Sequence, residues 1–182
     1  MSSVETRPFL RSARMLGWIL FAALCVLGAS AAGLIAMLIL DTEGTGRFLI
    51  IAAGYEQVIP RPWQSGALTG IVLSQIAVWA LVVTCARMIF TALTEADVHR
   101  AGRAATLTAR WLWLWLMLVW GILAFALATA VASWHFPPGE RSIAINVGTP
   151  QISTAFAALL ATFISRAFVL GAELWQDHQE VI

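Results

Sequence analysis

From Trp111 to Ser133 the chain reads WLWLWLMLVWGILAFALATAVAS, 23 residues without one charge. A helix of that length rises about 1.5 Å per residue, enough to cross a hydrocarbon core roughly 30 Å thick. The alternating Trp111, Trp113 and Trp115 imitate a strand's period of two. An uncharged run this long nevertheless exceeds any ordinary strand, and tryptophan is enriched where a span meets the headgroups. The run predicts a membrane-spanning helix that starts just after Arg110.

Three further apolar runs have similar lengths: Met15–Leu40, Leu68 to about Leu93, and Gln151 to about Leu174. Only 12% of the 182 residues are charged, against about 25% in a soluble domain. The expectation is one membrane domain over residues 1–182, an all-α antiparallel four-transmembrane-helix bundle with spans at about 15–40, 68–93, 111–133 and 151–174. The basic start, the apolar run and the triplet Ala29-Ser30-Ala31 resemble a cleavable signal. The run continues beyond that triplet as AGLIAMLIL, which predicts retention as the first span.

The connections carry their own signals. Asp41–Ala67 is rich in breakers, and its apolar piece Arg47–Ala53 is too short to span, reading as a strand or a reentrant piece. After Pro137-Pro138-Gly139, the alternation of Ile143, Ile145 and Val147 reads as a short strand. Both pieces fall in extracytoplasmic loops, the first and the third, and are expected to pair into a small β element. Between the second and third spans, Thr94 with Asp97 three residues on resembles a capping box, predicting a helix that runs through Arg100, Arg103 and Arg110 into the third span.

Orientation follows from arginine, since the chain has no lysine. With both termini cytoplasmic, Arg7, Arg11, Arg14, Arg87, Arg100, Arg103, Arg110 and Arg166 lie inside and Arg47, Arg61 and Arg141 outside, as the positive-inside rule requires. Arg87 and Arg166 sit near span ends, where they can snorkel to the interface. Lipid supplies no hydrophobic drive between helices, so small residues are expected to form the contacts. These are Ala29, Ala32, Gly33 and Ala36; Gly70, Ser74, Ala77 and Thr84; Gly121, Ala124, Ala128 and Ala132; and Thr154, Ala158, Ala161 and Ser165.

Candidate chemistry is sparse. No histidine falls within a span, so axial ligands for an intramembrane haem are missing. The first span has no carboxylate of the kind small four-span multidrug exporters use. Cys25 and Cys85 are separated inside apolar runs, which fits neither a disulfide framework nor a metal site. No catalytic residue, cofactor or metal is expected, and a net charge of +1 argues against direct nucleic-acid binding. Two places remain. Gln75, with Ser74, is the polar site within the second span, either bonding a neighbouring helix or lining a pocket for a small apolar or lipid-like molecule. The cytoplasmic group Arg100, Arg103, Arg110, Glu173 and Asp177 forms a mixed-charge rim that faces headgroups or docks a soluble partner.

The last part of the chain, SIAINVGTPQISTAFAALLATFISRAFVLGAELWQDHQEVI, resembles the C-terminal signature of the bacterial four-span family catalogued as domain of unknown function 2975. Phe168, Gly171, Leu174, Asp177 and the closing Glu180-Val181-Ile182 match in order, and Thr94–Gly102 resembles the family's capped helix after the second span. The likeness covers the four-span layout and implies a multi-pass protein of the bacterial inner membrane, without an established activity. Members are often encoded beside helix-turn-helix regulators, which implies such a regulator as a candidate cytoplasmic partner. The sequence-based expectation is therefore a non-enzymatic inner-membrane protein that docks a soluble partner.

Overall fold

A computed structural model describes residues 6–55, 59–95, 98–117, 120–137, 139–145 and 148–180; of these, 6–10, 98–99, 115–117, 150 and 172–180 are described by their backbone alone. The helices are α1 (Thr6–Leu40), α2 (Thr42–Ala52), α3 (Pro62–Thr94), α4 (Val98–Met117), α5 (Trp120–Ala132) and α6 (Thr149–Glu180), with a short 3₁₀ turn at Ser133–His135 after α5. No strand occurs among the described residues. Stretches of three helices, Arg11–Leu40, Pro62–Thr94 and Gln151–Gly171, are long and apolar enough to cross a membrane, and Trp120–His135 is a shorter apolar helix. The chain is an all-α membrane protein. Of the predicted third span, 111–117 lie in α4 and 120–132 in α5; residues 118–119 fall outside the described residues.

Helix starts show why these residues fold as they do. In α3, Pro62 takes the first helical position, where its missing N–H costs nothing. Gln64 then turns back to accept from the Arg61 N–H at 2.9 Å, one half of a capping box. The start of α6 repeats the device, with Gln151 accepting from the Gly148 N–H at 2.9 Å. At α2, Asp41 caps by accepting from the Gly44 N–H at 2.8 Å.

The expected strand at Arg47–Ala53 is instead helix through Ala52. Beyond the Asp41 cap, Glu43 and Arg47 form an i,i+4 ion pair of 3.0 Å, and Thr45, Gly46, Leu49 and Ile50 are buried along one helical face. A left-handed Gly54 ends α2. Its N–H reaches the Ile51 carbonyl while the Tyr55 N–H reaches that of Ile50, the paired bonds of a Schellman ending. A short apolar run has no periodicity that separates strand from helix, and the Asp41 cap with the buried face of Thr45, Gly46, Leu49 and Ile50 favours helix.

The expected partner segment also forms no ladder. The Ser142 N–H donates to Ser133 Oγ at 3.2 Å, Ser133 Oγ donates to the Ser142 carbonyl at 3.0 Å, and the Ala144 N–H donates to Thr129 Oγ1 at 3.0 Å. The alternation is real, but it serves a helix: alternate backbone groups face hydroxyls four residues apart on α5 and its 3₁₀ extension. Ile143 and Ile145 are left exposed. Val147 lies outside the described residues. The two loops do meet, through a hydrogen bond between the Tyr55 and Ser142 hydroxyls.

The contacts divide the chain into two compact units. The unit formed by 26–79 and 115–151 has a core of Leu49, Ile50, Leu68 and Ala132, with Leu34 and Val72 packed against it. In it α3 and α5 run antiparallel, because Gln64 Nε2 donates to the Val131 carbonyl at 2.8 Å and Gln75 Nε2 to the Trp120 carbonyl at 3.2 Å. The other unit comprises 1–25, 80–114 and 152–182. There α4 and α6 are antiparallel, joined by Thr106 to Ser165 at 2.8 Å and by Trp113 Nε1 donating to Thr162 Oγ1 at 2.9 Å.

The small-residue stripes fare unequally. Ala124 and Ala132 on α5 are buried, as are Thr154, Ala158 and Ser165 on α6. On α1, however, Ala29, Ala32, Gly33 and Ala36 are exposed, and on α3 Gly70, Ala77 and Thr84 are too. The protected positions on α1 are Ala13, Gly17, Leu20, Ala23, Leu24, Leu27, Ala31, Leu34 and Leu38. Ala23 apart, they alternate in steps of four and three, the spacing of a heptad seam, which turns five leucines inward and leaves Ala29, Ala32 and Ala36 on the exposed side. The expected helix start at Thr94 also moves: Thr94 ends α3 and gives its hydroxyl to the Thr91 carbonyl at 2.7 Å, while α4 begins at Val98. Asp97 lies outside the described residues.

Candidate functional site

The predicted docking group is organised by α4. One side of this helix is made of Ala101, Gly102, Ala104, Ala105, Thr108, Ala109 and Leu112, all buried. Small side chains let α6 come close: a Cβ added at Gly102 would stand 3.5 Å from Phe168 Cβ, ordinary contact distance. The opposite side presents Arg100, Arg103, Leu107 and Arg110, all exposed. Three turns of helix thus carry three guanidinium groups along one face, over about 15 Å from the first to the last.

These cations are not equivalent. Arg100 pairs with Glu95 at 2.7 Å, and both side chains are about half exposed, 47% and 51%. That pair neutralises one arginine locally, and as a solvent-screened pair it adds little stability. Arg103 and Arg110 form no ion pair among the described residues. Glu173 and Asp177 belong to α6, but their side chains lie outside the described residues, so the acidic half of the predicted rim does too.

The intramembrane polar site is used in packing. The amide of Gln75 bonds the Trp120 carbonyl, a contact between helices, whereas Ser74 gives its hydroxyl to the Ile71 carbonyl one turn earlier at 2.6 Å. Sequence reasoning singled out Gln75, which is half-buried here. It missed Gln64, which is fully buried and joins α3 to α5 through the Val131 carbonyl. The available signal was its position three residues after Arg61, where a glutamine serves both as cap and as bridge.

A second cluster absent from the sequence reading is a groove of about 210 Å³ lined by Arg14, Trp18, Arg87 and Phe90, among others. Among the described residues, no group of three or more histidine, cysteine, aspartate or glutamate side chains could hold a metal ion. No family model matches the chain, and no curated protein or solved structure matches it either.

Proposed function

We propose that the chain is a non-enzymatic four-span protein of the bacterial inner membrane, with both termini cytoplasmic, whose α4 arginine face docks a soluble regulatory partner. The observation that carries this reading is the division of labour on α4. Its small-residue side is consumed in packing, while Arg103 and Arg110 remain exposed without a carboxylate partner among the described residues. A face of this kind complements an acidic protein surface, and charge complementarity mainly sets encounter rate and specificity. The helix-turn-helix regulators implied by the resemblance are the partner class to try first.

The distribution of arginine supports the orientation. All eight arginines assigned to the inside fall in the unit containing α4, and the three assigned to the outside fall in the other. The commitment of Gln75 to the Trp120 carbonyl favours docking over an intramembrane ligand site beside that residue.

The test is co-purification from native membranes, comparing the full chain with Arg103→Glu/Arg110→Glu and with a chain cut after Ala172. A cytoplasmic protein captured by the wild type should fall at least tenfold in the double reversal, the equivalent of about 1.4 kcal/mol, at unchanged membrane levels. Loss with the truncation as well would assign α6's acidic end to the same surface. Equal recovery with all three chains would overturn the reading.

A further inference from the structure

The heptad seam of α1 changes character at its beginning. From Leu20 onward it is mostly leucine, but its first positions are Ala13 and Gly17. The side-chain volume that would fill the space beside α3 is missing there, and a groove of about 210 Å³ opens in its place. This is smaller than the roughly 300–1,000 Å³ of sites that enclose a whole small molecule. It suits a headgroup whose remainder lies outside.

The walls are two helical faces. Arg14, Gly17 and Trp18 follow one another at i, i+3 and i+4 on α1; Arg87, Phe90, Thr91 and Thr94 do so at i, i+3, i+4 and i+7 on α3. Two guanidiniums therefore face the groove, and among the described residues no carboxylate lines it. Arg87 is held over the Phe21 ring at 4.8 Å, and Phe21 meets Trp18 edge-on at 5.8 Å. Aromatic support of this kind orients a guanidinium without consuming its N–H donors. The threonines are placed for the opposite role. Thr91 donates to the Arg87 carbonyl at 3.1 Å and Thr94 to that of Thr91 at 2.7 Å, so both hydroxyl oxygens are left as acceptors.

Position narrows the ligand. Arg14 and Trp18 stand at the beginning of the spanning stretch Arg11–Leu40, and Arg87 to Thr94 at the end of Pro62–Thr94. These are the same membrane edge, where tryptophan and arginine meet phospholipid headgroups. We propose that this groove is a binding site for an anionic phospholipid headgroup, with Arg14 and Arg87 taking the phosphodiester and the Thr91 and Thr94 oxygens accepting from headgroup hydroxyls. Phosphatidylglycerol has this chemistry. The site is independent of any protein docked on α4.

The experiment is native mass spectrometry of the full chain released from nanodiscs holding equal phosphatidylglycerol and phosphatidylcholine. The wild type should retain phosphatidylglycerol preferentially. Arg14→Gln and Arg87→Gln should each lower that preference about fivefold, the equivalent of about 1 kcal/mol per basic residue at an anionic surface. Gly17→Phe should lower it as well: a Cβ there meets no atom within 4 Å, so the ring enters the groove without altering charge. Arg166→Gln, an exposed arginine that does not line the groove, should leave the preference intact. Equal retention of both lipids by the wild type would overturn the proposal. So would a preference that survives the groove variants or falls equally in Arg166→Gln, since either would reflect general surface charge. Inorganic phosphate bound by detergent-solubilised protein with the same arginine dependence, but without lipid preference, would instead assign the groove to a soluble phosphate compound.

Discussion

At Gly46 the absence of a side chain is a packing requirement. A Cβ there would collide with Ser65 Oγ and lie 2.8 Å from both Cβ and Cγ of Pro60, whose ring cannot turn aside. In an exposed helix, glycine to alanine gains up to about 1 kcal/mol, but here overpacking of about 1–3 kcal/mol opposes it. Gly66 provides the contrast within the adjoining helix α3, since a Cβ there would meet nothing within 4 Å. Gly46→Ala is therefore expected to lower the thermal unfolding midpoint in detergent and Gly66→Ala to leave or raise it. A Gly46→Ala protein as stable as the wild type would show that α2 can withdraw from Pro60 and Ser65 at no cost. Neither glycine reveals this in sequence, where both fall in the turn-rich stretch Asp41–Ala67; the distinction comes from what stands opposite.

At the scale of elements, α1 separates what sequence can disclose from what it cannot. Its existence and approximate limits follow from an uncharged apolar run, but hydropathy says nothing about which face meets protein, because lipid and core are both apolar. The small-residue rule selected Ala29, Ala32, Gly33 and Ala36, all exposed, although the four-three spacing from Leu20 to Leu38 was present in the same letters. On α4 the rule would have succeeded, since Ala101, Ala104, Ala105 and Ala109 are buried, but the interspersed arginines made that segment read as a basic connector. The arginines proposed for docking were singled out from charge alone. The groove was not, because Arg14 and Arg87 are 73 positions apart and nothing local relates them. The seam yields a direct comparison: Leu27→Ala should cost about 1 kcal/mol of packing, below the 2–5 kcal/mol of a fully buried leucine, and Ala29→Leu less than about 0.5 kcal/mol. Unfolding followed by tryptophan fluorescence would measure both, and a larger loss for Ala29→Leu would place the contact face on the alanines after all.

For the whole molecule, the decisive question is how often the chain crosses the bilayer. Counting arginines does not answer it. If α4 and α5 stayed on the inner side, Arg141 would move inside and Arg166 outside, and the balance would remain eight to three. Hydrogen bonds supply the stronger argument. Tyr55 lies between α1 and α3, so if both helices span, it stands on the side opposite Thr94, where α3 ends. Tyr55 bonds Ser142, and Gln64 at the start of α3 bonds Val131. The four-span reading proposed above expects the chain between Thr94 and Ser142 to return across the membrane through α4 and α5. On the four-span reading α6 carries the tail back to the side of the N-terminus. The expected result is that reporters active only outside the cytoplasm work when fused in the loops at Gly54 or Glu140 and fail at the tail or between α3 and α4. A silent fusion at Glu140 beside an active one at Gly54, from equally abundant proteins, would require the Tyr55–Ser142 bond to be absent in the membrane and would leave a three-span protein with its tail outside.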